Sequence, residues 1–449
     1  QDLTAEEERI FMTMFSESEA RELLKKALSY SKADACEANL NGSRDGNIRY
    51  ARNSVSTAGL VENLALVVQS NFGKKMGTAT VNEFDEGSIE KVVRRSEELA
   101  QLAPENPEFM PVLGPQEYLK TKGYFDSTAR ISAEFRAQAA ADSIGPCKSK
   151  NLIAAGFLED SAGFQAMANS AGLFAYYPES TCEFSVTVRT PDGTGSGWAE
   201  RDVNDVGELS TAEASAVAIE KSEASREAKA IEPGRYTVIL EPSAVSGLLQ
   251  NMMFNFNART ADEGRSFLAK AGGGTKLGEK IVDERVNLYS DPTNTGVPVS
   301  PWAQDGQARP RIHWIKNGVV ENMYRTRFWA KETDKPAIPF PGNGIMDGSD
   351  TPLEELIKST KRGVLVTRLW YIRTVDPQTL LYTGLTRDGT FFIENGKIAY
   401  PIKNMRFNES PVIMLNNLEE LGRPTRVSGN MLPPLKIRDF TFTSLSDAV

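Results

Sequence analysis

The run from Trp370 to Ser410, WYIRTVDPQTLLYTGLTRDGTFFIENGKIAYPIKNMRFNES, decides how the rest of the chain is read. It has the character of antiparallel strands punctuated by turns. Thr386-Arg387-Asp388-Gly389 and Glu394-Asn395-Gly396 each set an Asp-Gly or Asn-Gly pair between apolar runs. Glycine takes a positive φ at little cost, so both places are expected to reverse the chain as hairpins. The stretch holds no catalytic motif.

Working upstream, Asn317-Gly318 should join strands Arg311–Lys316 and Val319–Tyr324 as another hairpin, and Lys280–Asp283 should form a further strand. Thr351-Pro352-Leu353-Glu354 offers an N-cap Thr, Pro at the first helical position and Glu at the third. Lys335 to Asp350 is a Pro- and Gly-rich loop, and Tyr236–Leu240 a strand. Ser243 to Phe256, SAVSGLLQNMMFNF, is apolar enough for a buried helix. Glu232-Pro233-Gly234 interrupts the pattern.

In the first half, Ser16-Glu17-Ser18-Glu19 fits a capping box opening a helix. Further helices are predicted over Ser88–Ala103, over Ser127–Ser143 and from Ser210 to about Ala228. Short strands are predicted at Ala35–Leu40, Asn47–Ala51 and Leu64–Gln69, with Gly42, Gly46 and Gly59 near the reversals. Thr181–Arg189 alternates with Cys182, Phe184, Val186 and Val188 on one face, then turns through the Gly cluster Pro191–Gly197. The expected architecture is α+β: an N-terminal α/β domain, residues 1–232, then a mainly antiparallel β domain with a buried helix, residues 233–449.

The whole chain sets limits on function. It has 449 residues, 40% hydrophobic and 25% charged, enough for two or three cored domains. A net charge of −9 argues against a general binder of nucleic acid or anionic membrane. No apolar run reaches the roughly 18 residues of a membrane span. Cys36, Cys147 and Cys182 are scattered and odd in number, so neither a disulfide framework nor a clustered metal site is expected. The sequence starts at Gln1 rather than Met, through trimming or a removed signal peptide, and a cytoplasmic setting is the default expectation.

Little in the sequence suggests local chemistry. Neither the Pro191–Gly197 cluster nor Gly272-Gly273-Gly274 has the spacing of a phosphate loop. His313 is the only histidine, without a neighbouring base or nucleophile in sequence, and reads as a strand-surface residue. One histidine and three distant cysteines make a protein-built zinc centre improbable. Asp283, Glu284, Asp291 and Asp305 lack EF-hand spacing.

From about Val238 onward the chain resembles the TldD/PmbA family of microcin-processing peptidases, also called modulators of gyrase. The matching pieces run in order: Gly278-Glu279-Lys280, Ser300-Pro301-Trp302 before Asp305-Gly306, Ile315–Val319, Pro341-Gly342-Asn343, Glu354–Ile357, Arg362–Val366, and Ile393–Ile398 before Pro401-Ile402. The resemblance implies a two-domain, commonly dimeric protein. In this family a zinc-bearing TldD-type subunit and a PmbA-type (TldE) subunit together cleave unstructured peptides. The TldD-type motif is His-Glu-x-x-x-His on a helix, with a cysteine near the C-terminus as third ligand.

On the corresponding helix here, Gln250 and Asn255 stand where the histidines would be and Asn251 where the glutamate would be, and no cysteine follows Cys182. Neutral amides are poor zinc ligands, and Asn cannot take a proton as a carboxylate does. Ser428–Ile437 resembles the PmbA-type ending, whereas Phe407-Asn408-Glu409-Ser410 departs from the family's small, Gly-containing segment.

The expectation is a catalytically degenerate PmbA/TldE-like subunit with no catalytic or metal-ligating residue and no cofactor of its own. The zinc would be held by a TldD-type partner, and the peptide would be unstructured. The alternatives are a hydrolase using a non-zinc site and a homodimeric peptide-binding scaffold. The older gyrase label carries no DNA-binding claim, because an acidic chain without a basic patch lacks the electrostatics.

Overall fold

A computed structural model describes residues 14–446, so the reading of Gln1 lies outside the described residues. The first half is built on one antiparallel sheet of six strands in the order β3-β2-β1-β4-β5-β6. These are β1 Ala35–Ala51, β2 Ser54–Phe72, β3 Lys75–Val81, β4 Ile153–Asn169, β5 Phe174–Arg189 and β6 Ser196–Val203.

Four helices cover one face. Glu17–Tyr30 starts at the expected capping box, with Ser16 and Glu19 bonded reciprocally. Glu86–Leu102 is capped by Asp85, Ala133–Ser149 by Ser132, and Thr211–Ala224 by Ser210. Under the first pair, Leu40, Leu66 and Phe164 meet Leu24 and Val93. Under the second pair, Phe184, Val186 and Val188 meet Ala140 and Ala218.

Several local expectations fail here for identifiable reasons. Gly42, Gly46 and Gly59 reverse nothing, because β1 and β2 run straight through them. The reversal falls at Arg52-Asn53, both at positive φ. Gly46 is small because a Cβ there would lie 1.9 Å from the Arg136 guanidinium. That guanidinium is buried and paired with Asp160 at 2.6 and 2.8 Å. The single helix expected over Ser127–Ser143 is two, Asp126–Ala129 and Ala133–Ser149, since Ser132 caps a fresh start.

The second half contains two further sheets. One joins β8 Leu288–Ser290, β9 Ile312–Lys316, β10 Val319–Val320, β11 Ile345–Met346, β17 Thr425–Val427 and β18 Asn430–Leu432 in the order β10-β9-β8-β11-β18-β17. The other contains β7 Gly234–Leu240, β12 Arg362–Asp376, β13 Leu381–Glu394, β14 Lys397–Pro401, β15 Met405–Glu409 and β19 Leu435–Leu445. In it β12, β7, β19, β15 and β13 pair in turn and β13 pairs back to β12, which closes a five-stranded ring. β14 and β16 (Leu418–Leu421) are appended to it. Pairing is antiparallel except between β7 and β12 and between β11 and β18. The mixed helix and antiparallel-sheet content is that of an α+β protein.

The helix Pro242–Phe254 is buried as expected, and its Val245, Leu248, Leu249 and Met252 share one core with Val238, Val366, Ile437 and Phe440.

Asn317-Gly318 and Asn395-Gly396 turn the chain at positive φ, as their sequence requires. Asp388-Gly389 does not: β13 passes through it as a bulge opposite Thr367, again with positive φ at both residues. No strand forms over Lys280–Asp283, where only an isolated bridge joins Lys280 to Val319. The second hairpin strand stops at Val320. Thr351 caps nothing, because the helix Leu353–Lys358 begins one residue later with Pro352 at its N-cap.

Candidate functional site

The strand β5 alternates sharply. Cys182 and Phe184 enter the core beneath the helices, so Glu179, Thr181 and Glu183 occupy the other face. Asp202 on β6 lies directly across from Glu183. These residues form one wall of a cavity of about 380 Å³. The facing wall comes from the second half: Leu249, Gln250, Met253 and Phe254 of the helix Pro242–Phe254, the segment Val297–Val299, and Phe340–Gly344. Arg426 and Gly429 from the β17–β18 hairpin complete it.

Arg426 joins the halves. Its Nε donates to Asp202 Oδ2 at 2.7 Å, and its Nη1 donates to Asn204 Oδ1 and to the Gly296 carbonyl at 2.6 and 2.7 Å. The Gly429 amide also donates to Asp202 Oδ2, at 2.9 Å. Asp202 Oδ1 is buried without a hydrogen-bond partner among the described residues. Burial raises the Glu179 carboxyl above the usual range, opposed by Arg426 and Arg309. Glu183, at the exposed mouth, is raised by partial burial and by Asp202 and Glu159 beside it. At the rim, Phe254 is 62% exposed. Its ring stacks on Phe340 with centroids 5.5 Å apart.

The three amides singled out from the sequence are all half-buried on the helix Pro242–Phe254 or at its C-cap. Gln250 lines the cavity and donates to Ser246 Oγ at 3.1 Å. Asn251 donates to the Gly247 carbonyl at 2.7 Å. Asn255, the C-cap, donates to the Asn251 carbonyl at 2.8 Å and to Tyr382 Oη at 3.2 Å. Gln250 alone of the three reaches the cavity; Asn251 and Asn255 turn toward the helix backbone and Tyr382.

The donor chemistry does not fit the zinc that the family resemblance implies for TldD-type subunits. Each amide spends an N–H on a partner within the fold, and none supplies an imidazole or carboxylate. Among the described residues, no three His, Cys, Asp or Glu side chains converge as a metal site. His313 is half-buried with its ring against Tyr289, centroids 5.2 Å apart, and takes no part in the cavity. The three cysteines are buried and free.

Sequence reasoning missed the cavity carboxylates and Arg426. The Glu179-x-Thr181-x-Glu183 alternation opposite an apolar face was the available signal for the first of them. Arg426 carried none, because its role exists only once two distant sheets meet.

Comparison with known proteins bears on the same regions. Residues 233–444 match the model described as PmbA/TldA metallopeptidase C-terminal domain, and residues 129–228 the PmbA/TldA metallopeptidase central domain. A protein named metalloprotease from Methanothermobacter thermautotrophicus is 23% identical over 60% of this chain and 62% of its own length. Metalloprotease PmbA of Escherichia coli O157:H7 is 23% identical over 44% of this chain and 48% of its own. The chain therefore spans about half to three-fifths of the curated relatives it matches.

Among solved structures, a protein described as a modulator of DNA gyrase from Thermotoga maritima superposes with a TM-score of 0.84 at 16% identity, over 94% of this chain and 100% of that one. TldE from Thermococcus kodakarensis gives 0.82 at 18% identity, with the same coverage. At these identities the likeness is one of fold. No described helix is long and apolar enough to cross a membrane.

Proposed function

The chain belongs to the PmbA/TldD metallopeptidase family, and from that premise we propose that it is a PmbA/TldE-like subunit that holds unstructured peptide without hydrolysing it. A TldD-type relative would bring the zinc and the glutamate base. One observation carries the reading: the helix positions 250, 251 and 255 hold amides engaged within the fold, beside a cavity large enough for part of a peptide chain. Binding energy would come from shape, from polar groups on the β5–β6 face and from the aromatic rim.

The outer edge of β2 supports a second subunit in this reading. β2 is paired by β3 only from Leu66 onward, so the stretch 54–65 has no strand on its outer edge among the described residues. Val55, Leu60 and Val61 along it are 49%, 47% and 53% exposed. An unpaired edge with apolar side chains favours association with another chain.

The test is metal analysis of the purified protein together with cleavage of an unfolded peptide, alone and with a TldD-type relative. Substoichiometric zinc, no cleavage alone and cleavage by the mixture are expected. Stoichiometric zinc with chelator-sensitive cleavage by this chain alone would overturn the reading.

A further inference from the structure

We infer that the arm formed by β12 and β13 beside the helix Pro242–Phe254 docks an acidic segment of the peptide, on the rings of Trp370 and Tyr371 and the guanidinium groups of Arg373 and Arg406. The inference rests on the peptide-holding reading above and gives it a second contact surface and a substrate class.

The backbone displays the rings. Beyond Val366, β12 pairs with β13 alone among the described residues, and its register shifts between Trp370 and Arg373. Inside that bulge Tyr371 has a φ of 54°, a conformation that strains a bulky residue. The bulge brings Ile372 in against the helix, where a Cβ on Gly247 would lie 2.9 Å from Ile372 Cδ1. Trp370 and Tyr371 are left outward, 42% and 55% exposed, with ring centroids 5.5 Å apart. Strain that holds two large rings out in water brings the fold no burial in return, and Trp, Tyr and Arg are the residues that dominate binding surfaces.

Charge names the class of peptide. Trp370, Leu385 and Arg406 lie opposite one another on β12, β13 and β15, so they share one face of the sheet. Arg373 lies opposite Thr383, whose Oγ1 accepts from Arg406 at 3.4 Å, which places both arginines in the same patch. The Arg387 guanidinium lies over the Trp370 ring at 4.1 Å and that of Arg373 over the Tyr371 ring at 4.3 Å. Arg373 donates to the Ile372 carbonyl at 3.3 Å, and neither it nor Arg406 meets a carboxylate among the described residues. Asp376, at the tip of the arm, is taken up by its own turn, accepting from the Gln378 amide and Thr379 Oγ1. A guanidinium stacked on a ring keeps its N–H groups in plane, where a carboxylate can accept two of them. On a chain of net charge −9, this local excess of arginine complements an acidic segment.

The patch is continuous with the cavity. Gly247, Gln250 and Phe254 fall within about 60° of one another around the helix. They form a strip from the Ile372 contact to the cavity, which Gln250 and Phe254 line. Along the axis Gly247 and Phe254 are about 10 Å apart, roughly three residues of extended chain, so one peptide reaches both surfaces.

The measurement is fluorescence anisotropy of the full chain with three dye-labelled, unstructured peptides. They are alike except for the two residues flanking a central Phe, which are both Glu, both Gln or both Lys. The Glu peptide should bind about fivefold more tightly than the Gln peptide, and the Lys peptide more weakly than either. That preference should vanish as salt is raised from about 0.05 to about 1 M. Arg373→Gln combined with Arg406→Gln, at two exposed side chains, should leave the urea midpoint in place and bring the Glu peptide down to the Gln peptide. Trp370→Ala should weaken all three peptides, and unchanged binding would remove the rings from the surface. Equal binding of the Glu and Gln peptides, or a Glu preference that survives the double substitution, would refute the inference and leave the peptide-holding reading standing. Binding of none would refute both. Displacement of the Glu peptide by single-stranded oligothymidylate at lower concentration than by unlabelled Glu peptide would assign the surface to nucleic acid and overturn the inference.

Discussion

Glu409 provides a sharp test of how the second half is held together. It ends β15 and is 3% exposed. Its Oε1 accepts from the Ser410 amide at 3.0 Å and its Oε2 from the Thr441 amide at 3.1 Å. Burial outweighs those bonds and pushes its carboxyl up to about 7 from an ordinary 4.5.

The sign follows from proton binding. Between pH 4.5 and 7 the folded chain keeps this proton and the unfolded chain has released it, so stability falls as pH rises through that window. Each pKa unit is about 1.4 kcal/mol, so the loss approaches roughly 3 kcal/mol by pH 7 and is flat above. Glu409→Gln removes the ionisation but leaves an amide N–H facing one of two backbone N–H groups, at a cost of about 1–2 kcal/mol. The variant should therefore be less stable than wild type at pH 4.5 and more stable at pH 7.5. Urea denaturation followed by tryptophan fluorescence across pH 4–8 measures the difference. A constant offset between the two proteins, with no crossing, would refute the burial argument.

Two further substitutions probe other parts of the fold. Gly46→Ala would place a methyl 1.9 Å from the Arg136 guanidinium and separate it from Asp160, so a loss of about 3–5 kcal/mol is expected in chemical denaturation. A loss under about 1 kcal/mol would mean that the ion pair moves without breaking. Asp388→Asn keeps a residue tolerant of positive φ but loses the charge that Arg368 Nε meets at 2.7 Å and weakens the bond from Ser196 Oγ. It should cost about 2–3 kcal/mol and speed amide exchange along β6, which Ser196 begins. Unchanged exchange in β6 would show that Asp388 does not tie the two halves together.

The sequence was readable wherever the cause of a structure lies within a few residues of it. Ser16 and Glu19 satisfy each other's backbone, and Asn317-Gly318 and Asn395-Gly396 carry the positive φ a tight hairpin needs. Asp388-Gly389 has the same local signal, but positive φ serves a bulge as well as a turn. Which one forms depends on whether β12 continues beside it. Gly46 was misread for a similar reason: its smallness answers a side chain 90 residues away rather than a turn.

The candidate site divides the same way. Gln250, the one of the three amides that lines the cavity, was visible only through the family resemblance, whose motif sits on a single helix. Glu179, Asp202 and Arg426 come together only when one edge of the first sheet meets one edge of the second, an encounter no window of sequence contains.

The closed ring of strands also constrains when this protein can finish folding. β7 is made early, yet its antiparallel partner β19 follows some two hundred residues later, with Val238 opposite Ile437. During synthesis β7 must wait with one side unpaired while β12, β13 and β15 emerge, and the ring can shut only as the final strand leaves the ribosome. Such a long-range pairing slows folding, because the entropy of closing the loop is lost before the contact forms. A nascent chain stalled before Leu435 would expose two sheet edges and the underside of the helix Pro242–Phe254 together, the form in which this protein is most open to chaperones and to aggregation.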